Sequence, residues 1–167
     1  MSQANPNKAR LMKPKVYLET TLASYLTAWP SRDLVKAAHQ QITQEWWKTR
    51  TRFDLYISQA VLREAGGGDA GAARLRLEAL AGIPVLTAGP EASALAQQLI
   101  ARGSLPAKAA VDALHIAIAV ANGIDYLLTW NCAHIANAAM RHKIDAICRQ
   151  SGYEPTVLCT PEELMEE

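Results

Sequence analysis

Short apolar runs recur along the chain, separated by longer stretches whose apolar residues return every three or four positions. Five runs read as buried strands: Val16-Tyr17-Leu18, Leu55-Tyr56-Ile57, Pro84-Val85-Leu86, Tyr126-Leu127-Leu128 and Thr156-Val157-Leu158. Glu19-Thr20-Thr21 closes the first of them. A helix is predicted from Ser31, with Ser31 or Asp33 as its cap. Leu34, Ala38, Ile42 and Trp46 are expected to form its apolar face. Ser58 can cap a short helix carrying Glu64, which Gly66-Gly67-Gly68 stops. Further helices are expected over 70–80 (ended by Gly82), 91–102, and from Ser104-Leu105-Pro106 to about Ala121, with Asn122-Gly123 as the stop. Residues 132–142 also read as helical. Thr160-Pro161-Glu162-Glu163 has the form of a capping box with proline at the first helical position.

Strands that are apolar throughout and alternate with helices imply a parallel sheet covered on both faces. The predicted architecture is α/β, a three-layer α/β/α sandwich around a central, mainly parallel sheet. The chain of 167 residues suits one domain, expected over 13–164. Residues 1–12 are polar and lack periodicity, and are expected to be a disordered basic arm that includes Lys8 and Arg10.

Composition narrows the classes. Half the residues are apolar and a fifth are charged, as in ordinary globular domains. A net charge of +1 excludes a generally polycationic nucleic-acid binder. Cys132, Cys148 and Cys159 have neither CxxC nor metal-finger spacing, which argues against a disulfide framework and for a reducing compartment. No signal-peptide pattern or spanning apolar run is present, so a cytoplasmic protein without a membrane partner is expected.

In open α/β sheets the reactive groups sit just beyond the carboxyl ends of the strands. Glu19 follows the first strand, Asn131 lies in Thr129-Trp130-Asn131 after the fourth, and Glu64 lies on the helix after the second. Asp112 sits in an otherwise apolar helical run, where an unpaired carboxylate is costly. It is either paired, with Lys108 one turn earlier, or solvent-facing, or functional. Hard divalent ions bind oxygen ligands, and Mg²⁺ takes one or two carboxylates plus waters and phosphate. Glu19, Glu64 and Asp112 suit that task, and Asn131 could add a neutral oxygen or position a water.

The segments Val16-Tyr17-Leu18-Glu19-Thr20-Thr21 with Ser24-Tyr25-Leu26, Ile57-Ser58 leading to Glu64, Asp112 with Leu114-His115-Ile116-Ala117, and Tyr126-Leu127-Leu128-Thr129-Trp130-Asn131 with His134 occur in this order. Together with 155–164 they resemble the PIN domain, most closely nucleases of the VapC toxin type. The resemblance spans about 15–164 and implies a PIN-like fold. It also implies a Mg²⁺ (or Mn²⁺) site and endonucleolytic cleavage of RNA by an activated water. Glu19, Glu64 and Asp112 carry over as metal ligands or their supports, and Thr20, Thr21 and Thr129 as the hydroxyls that orient them. Most members have aspartate at the place of Glu19, and many at the place of Asn131. The first difference moves a carboxylate outward by a methylene. The second removes a charge and allows a one-metal site. A small antitoxin is the implied partner. A catalytically degenerate PIN-like module that binds RNA or a protein is the alternative. A phosphohydrolase of aspartyl-phosphate type is disfavoured, since no DxDxT follows the first strand.

His115 reads as a buried, hydrogen-bonded histidine, while His134 either supports the site or caps a helix. His39 and His142 read as surface residues. Lys48, Arg50, Arg52, Arg63, Arg74 and Arg76 could grip a phosphate backbone or be solvated surface. Trp29 and Trp47 either form an apolar patch for a partner or a second subunit in a homodimer, or are partly buried within the domain.

Overall fold

The structure is a computed structural model, and it describes residues 12–165. The expected N-terminal arm lies outside the described residues except for Met12.

Five parallel strands form one sheet: β1 (Lys15–Leu18), β2 (Asp54–Ser58), β3 (Val85–Leu86), β4 (Tyr126–Leu128) and β5 (Val157–Cys159), in the order β3-β2-β1-β4-β5. The helices are α1 (Thr20–Thr27), α2 (Leu34–Lys48), α3 (Gln59–Ala65), α4 (Ala70–Leu80), α5 (Pro90–Ala101), α6 (Ala110–Ala121) and α7 (Ala138–Gln150). Helices α1 to α4 pack on one another, as do α5, α6 and α7, which yields the expected three-layer α/β/α architecture. Val16, Tyr17, Leu18, Leu127 and Leu128 are wholly buried between the layers. Their continuous apolar runs are therefore a consequence of the sheet being covered on both faces.

The chain builds outward from β1 to β3 on one side, then crosses to β4 and β5 on the other. The reversal falls between β1 and β4, where a crevice opens at the carboxyl ends of the strands. Register matters here. Leu18 lies opposite Leu128, so the next residues, Glu19 and Thr129, emerge side by side. The ladder continues into them, with Glu19 N–H donating to Leu128 O and Thr129 N–H to Cys159 O.

Four local expectations need correction. Helix α1 was not anticipated, because Thr20-Thr21 opens it with β-branched residues that favour extended backbone. Glu19 starts it as N-cap, its side chain accepting the Thr21 N–H. Helix α2 begins as expected at Asp33, which caps Lys36 N–H, but its face is rotated. Leu34 is 87 % exposed and Ala38 is also exposed, while Gln40, Thr43 and Trp46 are buried. Residues 132–136 form turns and the helix starts only at Ala138, after Asn137 caps Ala139 N–H. The last strand is shifted by one residue, and the Thr160–Glu163 capping box forms over a single turn. Trp47 packs against the core under the Arg50 guanidinium, whereas Trp29 is 91 % exposed.

Candidate functional site

Glu19 is only 4 % exposed. A buried carboxylate needs donors, and its Oε2 has three: Thr21 N–H at 3.1 Å, the Thr21 hydroxyl at 2.5 Å and the Thr129 hydroxyl at 2.7 Å. Each hydroxyl is itself oriented by a backbone amide. Trp130 N–H donates to Thr21 Oγ1 at 2.8 Å, and Asn131 N–H to Thr129 Oγ1 at 2.9 Å. With their acceptor sides taken, both hydroxyl protons point at Glu19.

Glu64 projects from α3, with its side chain 40 % exposed. Its Oε1 accepts from Thr20 Oγ1 at 2.8 Å and meets His115 Nε2 at 2.5 Å. His115 is fully buried on α6, and its Nδ1 lies 2.6 Å from the Tyr17 hydroxyl, which lies 2.7 Å from Ser58 Oγ. A carboxylate oxygen only accepts, so His115 carries its proton on Nε2. Nδ1 then accepts from Tyr17, and Tyr17 accepts from Ser58. Hydrogen bonds thus run in one direction, from Ser58 to Glu64. Burial acts to raise the Glu64 carboxyl, but its interaction with His115 and the Thr20 hydrogen bond outweigh it and hold it below the usual carboxylate range. Burial, reinforced by Glu19 and Glu64, pushes the Tyr17 phenol well above its usual value despite the Ser58 hydrogen bond.

The ligand atoms of Glu19, Glu64 and His115 all lie within 4.8 Å of one another. His115 has both ring nitrogens engaged, which leaves it as a support for Glu64. Asp112 does not belong to that group. It lies in the first turn of α6 with its side chain 21 % exposed, and its Oδ2 pairs with His134 Nδ1 at 2.8 Å; Lys108 is not its partner. His134 N–H donates in turn to Asn131 Oδ1. The predicted residues therefore fall into two neighbouring sets: Glu19, Thr20, Thr21, Glu64 and Thr129, and Asp112, Asn131 and His134.

One feature recurs in all three carboxylates. Glu19 Oε2, Glu64 Oε1 and Asp112 Oδ2 are tied, while Glu19 Oε1, Glu64 Oε2 and Asp112 Oδ1 accept no hydrogen bond from any described residue. No described lysine or arginine pairs with them. Rigid carboxylates with a bare oxygen each, and no neutralising cation of their own, fit a hard divalent ion.

Among the basic side chains, Arg76 donates to Ala65 O and Gly67 O, Arg50 to Trp47 O, and Arg74 pairs with Glu78. His39, expected at the surface, instead stacks on Trp130 with ring centroids 3.9 Å apart. Tyr17 had no signal in the sequence beyond that of an ordinary strand residue, and Ser58 had only that of a helix cap. Tyr17→Phe should cost about 1–3 kcal/mol, because buried His115 Nδ1 loses its only donor among the described residues. A thermal midpoint within a degree of wild type would contradict the directed chain.

No protein-family model matches the sequence, and no curated protein matches it. Solved structures do share its fold. VapC20 of Mycobacterium tuberculosis, described as a Sarcin-Ricin loop cleaving toxin, superposes with a TM-score of 0.57 at 16 % identity, covering 71 % of this chain and 92 % of its own. A chain of VapBC2 from Rickettsia felis, described as bound to a DNA fragment from their promoter, gives 0.52 at 15 % identity, covering 87 % and 98 %. The chain has the PIN-like fold of VapC-type toxins.

Proposed function

We propose that the chain is a metal-dependent endoribonuclease, with residues 13–164 as one nuclease domain. The carrying observation is the set of carboxylates beside the β1–β4 crevice, each with one oxygen tied and the other bare. Glu19 and Glu64 would hold Mg²⁺ or Mn²⁺, with Asp112 completing the carboxylate set from α6. A bound ion of this kind lowers the pKa of a water and neutralises charge on a phosphate.

The remaining work falls to the chain itself. Thr21 and Thr129 aim Glu19, and Thr20 and His115 aim Glu64. Asp112 and Asn131 hold His134. Asn131 uses Oδ1 on the His134 amide, which leaves its Nδ2 hydrogens for a phosphate oxygen or a water. Loss of the fourth charge at this position favours one metal over two.

RNA is the proposed substrate, because two solved relatives by fold are a toxin described as cleaving the Sarcin-Ricin loop and a VapBC complex. The second relative also supports a small antitoxin as partner. Trp29, Leu34 and Val35 are exposed together around the start of α2, beside a cavity of about 440 Å³ that Tyr25, Trp29 and Lys36 help to line. This apolar face suits such a partner or a second copy of the chain. No helix of the described residues is long and apolar enough to cross a membrane.

The test is direct. Purified chain should cleave a mixed RNA pool with Mg²⁺ or Mn²⁺, and lose that activity in EDTA. Expressed alone in bacteria it should arrest growth, and Glu64→Gln should relieve the arrest. Intact RNA under all metal conditions would leave the degenerate binding module as the better reading.

A further inference from the structure

Helix α2 contributes none of the carboxylates, yet it is tied to them through one buried hydroxyl. Thr43 is wholly buried on α2. Its hydroxyl donates to His39 O at 2.6 Å and accepts from Trp130 Nε1–H at 2.7 Å. Trp130 is buried, and its ring is held by two aromatic neighbours. The His39 imidazole stacks on it at 3.9 Å with 13° between the planes, and Tyr25 from α1 meets both rings edge-on.

The same residue touches the site with its backbone. Trp130 N–H donates to Thr21 Oγ1, and that hydroxyl donates to Glu19 Oε2. An amide that occupies the acceptor side of a hydroxyl decides where its proton points. The direction of the Trp130 amide is set by where its indole is held, and Thr43 holds the only polar atom of that indole.

We propose that Thr43 is a positioning residue for the Glu19 carboxylate, acting through Trp130 and Thr21. The inference rests on the proposed metal site, since it is the bare Glu19 Oε1 that the relay keeps in place. Thr43 touches neither substrate nor ion. Partners of ligands in this outer position commonly shift metal affinity or activity by about 10- to 100-fold, and Thr43 stands two links further out. An effect of roughly five- to tenfold is expected.

Thr43→Val keeps the shape and removes the hydroxyl, whereas Thr43→Ser keeps the hydroxyl. Thr43→Ala serves if the valine does not fold. Two readouts are needed, one of them free of metal and activity. In the metal-free protein, amide hydrogen exchange at Trp130 should speed up in Thr43→Val and stay near wild type in Thr43→Ser. In Mn²⁺ titrations, Thr43→Val should bind roughly five- to tenfold more weakly, with kcat for RNA falling alongside while KM stays unchanged, and Thr43→Ser should restore both. In a Thr21→Val background the Thr43 substitution should add nothing, because the link through Thr21 is already cut.

A folded Thr43→Val protein with wild-type Mn²⁺ affinity overturns the proposal, as does a loss that Thr43→Ser fails to rescue. Full additivity with Thr21→Val overturns the route through Trp130. A wild-type chain that binds no Mn²⁺ defeats the metal-site reading itself, and the Trp130 exchange result then stands apart as a test of the relay geometry.

Discussion

Glu19→Gln should lose RNA cleavage by roughly 100-fold or more while the fold persists, and Glu19→Asp should retain measurable cleavage. The reason lies in which oxygen is occupied. Oε2 faces three donors, so a glutamine must turn its carbonyl oxygen towards Thr21 and Thr129. Its NH2 group then takes the place of Oε1, where it offers hydrogens to a site that needs a lone pair. The cap on α1 survives this exchange, because the carbonyl still accepts the Thr21 N–H. Aspartate is a strong N-cap in its own right and preserves the charge. Its shorter reach is expected to alter the preference between Mg²⁺ and Mn²⁺, since Mg²⁺ demands stricter octahedral geometry. All three proteins are compared at equal concentration and metal on one RNA pool. An active Glu19→Gln enzyme would remove the first residue of the proposed site.

The second large effect is on stability. Mg²⁺ or Mn²⁺ should raise the thermal midpoint, because an ion that binds only the folded state stabilises it by mass action. At about 100 times the dissociation constant this amounts to about 2.7 kcal/mol. For a domain of this size that corresponds to a rise of roughly 5–10 °C. Glu64→Gln should erase the shift, since Glu64 belongs to the tight group and keeps one oxygen bare. Asp112→Asn should reduce it less, because Asp112 stands outside that group and is held by His134. Thermal scans with and without millimolar metal check this. Equal shifts in wild type and Glu64→Gln would mean that the ion binds elsewhere.

Much of the architecture was legible along the chain for a local reason. Strands covered on both faces must be apolar at every position, so β1, β2 and β4 announce themselves in three or four residues. Helix α4 was read to its bounds and α3 to its stop, because Ser58, the glycines after Ala65 and Gly82 act through nearest-neighbour backbone geometry. Gly82 takes a positive φ just beyond α4, and Gly68 takes one in the turn between α3 and α4. Glu19, Glu64 and Asp112 could be chosen as candidates from their places after strands or in an apolar run.

Which of them meet, and what holds them, depended on pairs far apart in sequence. The Leu18–Leu128 register brings Glu19 and Thr129 together across 110 residues. The bond between Tyr17 and His115 joins positions 98 apart, and that between Thr43 and Trp130 joins positions 87 apart. Periodicity reports that a residue faces inward, but carries no information about which distant element it will face. For that reason the sequence yielded the layers and a set of candidate carboxylates. Only the packed sheet decided that His115 serves Glu64, that Asp112 turns to His134, and that His39, read as a surface residue, stacks on Trp130 beside the site.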